Sequence, residues 1–178
     1  MKTFNVPTRE EVSSNNQALF DNLQKGLGKV PNLYAAMAYS ENALASYLHL
    51  QGAKSSLKPK EKEVVNLVVS QLNDCDYCLA AHTFISKRAG FTDEQIIEIR
   101  KGGASFDPKL NALAILVKSA VEHNGKAAAA AVDAFFAAGY TNENLVDVVV
   151  LIGDRMITNY LYGLTQVPVD FPPAPSLS

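Results

Sequence analysis

The 178 residues contain two cysteines, and both fall within Cys75-Asp76-Tyr77-Cys78. On a helix this spacing turns the two side chains about 60° apart and leaves their Cα atoms about 5 Å apart, within disulfide range. His82 follows Cys78 by four residues and returns to about 20° from Cys75 around the same axis. Two thiols and an imidazole therefore share one stripe. The attacking species in sulfur chemistry is the thiolate, and an unperturbed cysteine has a pKa of about 8.5. Unpaired N–H groups of a first helical turn stabilise that anion, Asp74 and Asp76 oppose it, and His82 is placed to serve as a base. A peroxide turns one thiolate into a sulfenic acid, the second thiol condenses with it to a disulfide, and an external reductant reopens the pair.

The same residues admit other readings. Free cysteines are often small buried hydrophobes. C-x2-C-x3-H offers three ligands where zinc takes four; Glu63, His49 or His123 are candidates for the fourth, but there is no second C-x2-C knuckle. The reading adopted is no metal. Glu63, beside Lys60, Glu61 and Lys62, looks by position like a solvated first-turn carboxylate, and only its spacing to Cys75 favours a site role. His82 without the cysteines would pass for a core histidine. His49 and His123 are read as structural, and Tyr160, Tyr162, Phe135 and Phe136 as core or subunit contact.

Helices are needed to position this stripe, and glycine and proline mark out nothing else. Expected helices cover residues 13–25, 31–37, 40–50 with Ser40 as N-cap, and 59–72 with Pro59 in the first turn. Asp74 then caps a helix over 75–87, and Thr92 with Gln95 forms a capping box for one ending at Arg100 before Gly102. Further helices run from Asp107-Pro108 to about 124, over 127–138, and from the Thr141 cap to about 162. No stretch alternates with period two between hairpin turns. The fold class is all-α, about seven to eight helices in a single domain over 1–178, with a proline-rich tail at 168–178. The cysteine pair opens a central helix.

Composition bounds the partners. With 48% hydrophobic residues the chain can bury a core, and a formal charge of −2 offers no field for nucleic acid or anionic lipid. The start MKTFNVPTRE lacks an apolar signal core, and no apolar run approaches a membrane span. A cytoplasmic location is expected, with neither nucleic acid nor membrane as partner. A reducing compartment makes a lone cysteine pair a poor structural staple.

Glu63-x11-Cys75-x2-Cys78-x3-His82 resembles the AhpD-like alkylhydroperoxidases of the carboxymuconolactone decarboxylase-like superfamily. The stretch LKPKEKEVVNLVVSQLNDCDYCLAAHTFISKRAGFTDEQI is similar to the family's core helical unit, and LTQVPVDFP to tails of its peroxidase-related members. The resemblance implies an AhpD-like helical domain, a homo-oligomer (trimer or hexamer), and no bound metal or organic cofactor. It implies that Cys78 attacks the peroxide, Cys75 resolves, and Glu63 and His82 form a proton relay. Thioredoxin-type logic instead favours the more N-terminal cysteine as nucleophile. The best-studied peroxidases of the family carry a histidine where this chain has Tyr77, and a phenol titrating near ~10 cannot replace that base.

The leading expectation is a thiol peroxidase: it reduces hydroperoxides through a Cys75/Cys78 dithiol–disulfide cycle fed by a protein or dithiol reductant. A redox-sensing or interaction protein using the same pair is the alternative. A decarboxylase-like lyase is a third, and proton transfer alone has no need of two thiols.

Overall fold

The computed structural model describes residues 4–177. The expectations for the first three residues and for Ser178 at the end of the tail lie outside them. Among the described residues there are nine α-helices and no strand: α1 (Ser14–Leu27), α2 (Asn32–Met37), α3 (Ala43–Gly52), α4 (Pro59–Leu72), α5 (Asp76–Arg88), α6 (Asp93–Arg100), α7 (Pro108–Glu122), α8 (Ala129–Ala137) and α9 (Asn142–Thr165). The all-α class stands, with nine helices where about seven to eight were expected. Among the described residues no helix is long and apolar enough to cross a membrane.

Local chemistry explains most of the ends. Ser13 accepts the Asn16 N–H, Thr92 the Gln95 N–H, and one Asp107 oxygen the N–H groups of Lys109 and Leu110. Each satisfies donors that a first turn leaves unpaired. Ser40 still accepts from Ala43 at 3.3 Å, yet the N-cap itself is Asn42 and α3 starts at Ala43. α6 stops before Gly102, whose φ of 89° suits glycine and where an added Cβ would collide with the Lys118 side chain.

The chain divides into two compact units. The larger holds Ser55–Asn159 and the residues from Phe171 onward. In it α4 packs against α5, α6 and α7, and α7 against α8. Val64, Val65, Leu67, Val68 and Val69 of α4 are fully buried among Ile96, Ile99, Leu113 and Val117. That breadth of apolar surface makes α4 the centre of this core rather than a surface helix. Phe135 stacks on Tyr140 with centroids 4.3 Å apart and planes 4° from parallel, so both rings sit in the core as expected for Phe135. Phe135→Ala should cost about 3–5 kcal/mol of stability, read by urea unfolding; a cost under ~1 kcal/mol would show that the site collapses.

The smaller unit holds the residues up to Lys54 and Tyr160–Asp170. Phe20, Leu23, Ala35, Met37, Leu44 and Tyr47 form its core. Buried Asn16 donates to the carbonyls of Ala38 and Ser40, both at 3.0 Å, and Lys29 pairs with Asp170 at 3.0 Å. Tyr162 is buried, whereas Tyr160 and Phe136 are exposed. The placement of Tyr160 and Phe136 leaves subunit contact, not core, as what remains of that expectation.

Candidate active site

The site begins where α4 hands over to α5. Asn73 and Asp74 make the connection, and Asp74 takes φ 48°, a left-handed conformation that aspartate tolerates better than most side chains. Asp74 is therefore not the cap. Cys75 is: its backbone is extended, and its Sγ accepts the Cys78 N–H at 3.3 Å. Cys75 thus precedes the helix instead of occupying its first turn, and Cys78 sits one turn in. Both thiols are free and buried.

The two sulfurs are not equivalent. The interaction between the two thiols pushes the Cys75 thiol well above its ordinary value; burial and the Cys78 charge push the same way, and the Cys78 N–H opposes them. Cys78 is drawn down to about 6, first by that same interaction. Burial opposes the fall, while the charges of Arg155 and His82 and the Thr158 hydroxyl assist it. The balance of these influences favours the anion on Cys78 over Cys75.

Behind the sulfurs lies a buried polar chain. Glu63 on α4 is not solvated as its neighbours in sequence suggested: it is 6% exposed, and Glu61 is buried too, accepting the Lys58 N–H at 2.7 Å. The correction has a simple origin, since α4 is packed by three helices and its first turn goes inside with the rest. One Glu63 oxygen accepts from Asn66 at 2.9 Å; the other contacts His82 Nδ1 at 2.9 Å and accepts from Ser86 at 3.3 Å. Burial raises the Glu63 carboxyl, but the His82 charge, the hydrogen bonds from His82 and Asn66 and the Arg155 charge together hold it below the usual range. His82 Nε2 lies 2.5 Å from Arg155 Nη1, and Arg155 Nη2 donates to Asp154 at 2.9 Å.

Cys75, Cys78, His82 and Glu63 are thus brought together, while His49 and His123 are exposed elsewhere. Among the described residues no group of three or more His, Cys, Asp or Glu side chains is placed to hold a metal ion. Arg155, Asp154, Thr158 and Asn159 went unnoticed in the sequence. The signal was there: Asp154-Arg155 follows the apolar run Val148 to Ile152 within the same helix α9, and charged residues inside such a helix are buried only when paired. Asn159 reaches the site from the same helix, accepting from Asn73 at 3.0 Å and partly offsetting the rise of Cys75. Tyr77 is buried, its ring edge-to-face against Phe171 with centroids 5.6 Å apart.

An all-helical core thus carries a buried C-x2-C at the start of one helix and a glutamate–histidine pair behind it. The carboxymuconolactone decarboxylase family model matches residues 36–117, the stretch that holds α4, α5 and the cysteine pair. The chain's fold is similar to a peroxidase-related protein from Silicibacter sp. TM1040 (TM-score 0.76, 19% identity, 97% of this chain and 93% of that one). It is also similar to an AhpD-core, peroxidase-related protein from Ralstonia eutropha JMP134 (0.78, 18%, 96% and 90%). The debrominase Bmp8 shares it as well (0.77, 12%, 96% and 93%). No curated protein matches the chain significantly. At such identities the likeness concerns the fold, and the chemistry has to be argued from the site.

Proposed function

We propose that the protein is a thiol peroxidase in which Cys78 attacks and Cys75 resolves. The Cys78 thiolate attacks the terminal oxygen of a hydroperoxide: an S–O bond forms, the O–O bond breaks, and the displaced alkoxide takes a proton from water to become an alcohol. The Cys75 sulfur, losing its proton, then attacks the sulfenic sulfur; the S–S bond forms and water leaves. A protein or small dithiol returns two electrons by exchange. The observation that carries this reading is the pair of free, buried thiols at the start of α5, with the Cys78 N–H on Cys75 Sγ at 3.3 Å and the Glu63–His82 pair beside them; the lowered Cys78 beside a raised Cys75 supports the choice of attacking sulfur. The family-model match over residues 36–117 and the likeness in fold support it. The expected homo-oligomer finds support in Val146, Val149, Val150 and Ile157, exposed along α9.

The test is a peroxide titration of the reduced protein followed by mass spectrometry of the peptide holding both cysteines. One equivalent of peroxide should yield one Cys75–Cys78 disulfide, with the rate half-maximal near pH 6 and level above pH 7. A reversible disulfide without peroxide turnover would transfer the reading to a redox sensor. Lactone turnover that survives loss of both cysteines would transfer it to a lyase.

A further inference from the structure

Residues 171–177 belong to the larger unit and lie against the helices on either side of the cysteine pair. Two anchors hold them. Phe171 sets its ring edge-to-face on Tyr77, with centroids 5.6 Å apart, and 6.5 Å from Phe84. Tyr77 stands between the two cysteines, and Phe84 follows it by seven residues on the same face of α5. Four residues after Phe171, the Pro175 carbonyl accepts from Arg100 Nη1 at 2.5 Å. Arg100 is buried, and its Nε donates to the Gln71 side chain at 2.9 Å. The Gln71 carbonyl in turn accepts the Asp74 N–H at 3.2 Å, and the Ser70 carbonyl accepts the Cys75 N–H at 3.0 Å. The tail is therefore tied both to the last turn of α4, just before the C-x2-C, and to the tyrosine within it.

Asp74 and Asp76 are exposed, so this turn lies at the surface, yet Cys75 and Cys78 are only 1% and 2% exposed. Thiol–disulfide exchange requires an attacking sulfur to reach one of the pair, and a protein cannot bring one to sulfurs so enclosed. Part of the molecule has to move. Moving α4 would uncover five side chains that are fully buried, Val64, Val65, Leu67, Val68 and Val69. Moving the tail uncovers far less: Pro172 and Pro173 are exposed, Phe171 and Pro175 are half-buried, and the three prolines have no N–H to bond. Among the described residues no carboxylate pairs with Arg100, so water can take the place of the Pro175 carbonyl on its guanidinium. Segments with few buried contacts open first.

We propose that residues 171–177 are a strap that holds the C-x2-C turn closed, and that a protein dithiol reaches the pair only when this strap lifts. Lifting takes Phe171 off Tyr77 and the Pro175 carbonyl off Arg100, and the turn then opens about the Asn73–Asp74 connection and brings the sulfurs outward. The incoming thiolate bonds to one sulfur of the Cys75–Cys78 disulfide, the S–S bond breaks, and the other sulfur leaves as a thiolate. The partner's second thiolate attacks the mixed disulfide, so the partner departs oxidised and the pair is left reduced. The strap rests on the pair being the redox-active group, whatever oxidises it.

A chain ended after Asp170 removes the strap and leaves the Lys29–Asp170 pair in place. Its reduced cysteines should be alkylated by a maleimide on a long polyethylene glycol chain about tenfold faster than those of the native protein. Amide hydrogen exchange over residues 74–79 should quicken with it, while exchange over residues 64–69 stays as it was. Phe171→Ala, which removes one anchor, should speed alkylation about threefold or more. Phe135→Ala is the control, because it weakens the same core without touching the strap. An acceleration there as large as in the shortened chain would mean that general loosening exposes the thiols, and the proposal falls. It falls equally if the shortened chain is alkylated at the native rate. Should that chain fail to fold by circular dichroism, Phe171→Ala decides, and a native rate in it sinks the strap. With the disulfide made by diamide, thioredoxin should reduce the shortened chain about tenfold faster than the native one; equal rates count against a protein dithiol held off by the strap. A pair that diamide cannot join would overturn the redox reading beneath the proposal. Faster alkylation and reduction without peroxide turnover would instead overturn the peroxidase reading and leave the strap intact.

Discussion

Cys78→Ser should abolish peroxide consumption, whereas replacement of Cys75 should leave a protein that reacts once and stops. A serine hydroxyl at position 78 is far from ionised at neutral pH, so the rate should fall by at least ~10³-fold, to the background of the solution. Cys75→Ser removes the resolving sulfur but keeps a hydroxyl where the Cys75 thiol interacts with Cys78. Its Cys78 should still react with one equivalent of peroxide, at close to the native rate, and accumulate as a sulfenic acid that dimedone traps. Cys75→Ala loses that interaction too, and the largest influence lowering Cys78 goes with it. The pH midpoint of Cys78 alkylation should then rise from about 6 and the first step at pH 7 should slow, which Cys75→Ser does not show. The reverse pattern, one turnover in Cys78→Ser and none in Cys75→Ser, would make Cys75 the nucleophile, as thioredoxin-type logic has it.

The parts of this fold that local chemistry decides were legible in the sequence. Pro59 opens α4, the Thr92–Gln95 box opens α6 and Asp107-Pro108 opens α7, because caps and prolines act within a few residues. The start of α5 was misplaced by one residue, since Asp74 looks like a cap and becomes a left-handed hinge while the cysteine does the capping. Which thiol becomes the anion could not be read from a helical wheel. It depends first on the interaction of the two thiols and on burial, and then on groups such as Arg155 and Thr158, which arrive from a helix about eighty positions further along. Glu61 and Glu63 show the same limit from the other side: nothing in LKPKEKEVV announces that two of its carboxylates go inside, because their burial is the work of the helices packed over them. Spacing located Glu63, and only packing explained it.

Glu63 carries the second large effect. Its carboxylate accepts from Asn66, His82 and Ser86, and stripping it away leaves buried donors unpaired and Arg155 with one anion fewer. Breaking a buried charged network in this way costs about 3–5 kcal/mol, so Glu63→Ala should lose that much stability at pH 7. Glu63→Gln should lose less, about 1.5–3 kcal/mol, because only the charge-assisted part of the hydrogen bonds disappears. Asn66 Oδ1 is buried without a partner, so a flipped Asn66 amide can accept from the side-chain N–H that this substitution introduces, while the amide oxygen beside it keeps His82. The pH dependence has a definite sign. The folded-state carboxyl lies below its unfolded value, so its contribution is complete above about pH 4.5 and is lost as the pH falls through the lower, folded value. Urea unfolding at pH 7 and again near pH 3 should therefore show the gap between native protein and Glu63→Gln shrinking on the acid side. A gap that instead widens toward acid would mean that burial outweighs the partners of Glu63, and that the carboxyl is protonated beside a charged His82.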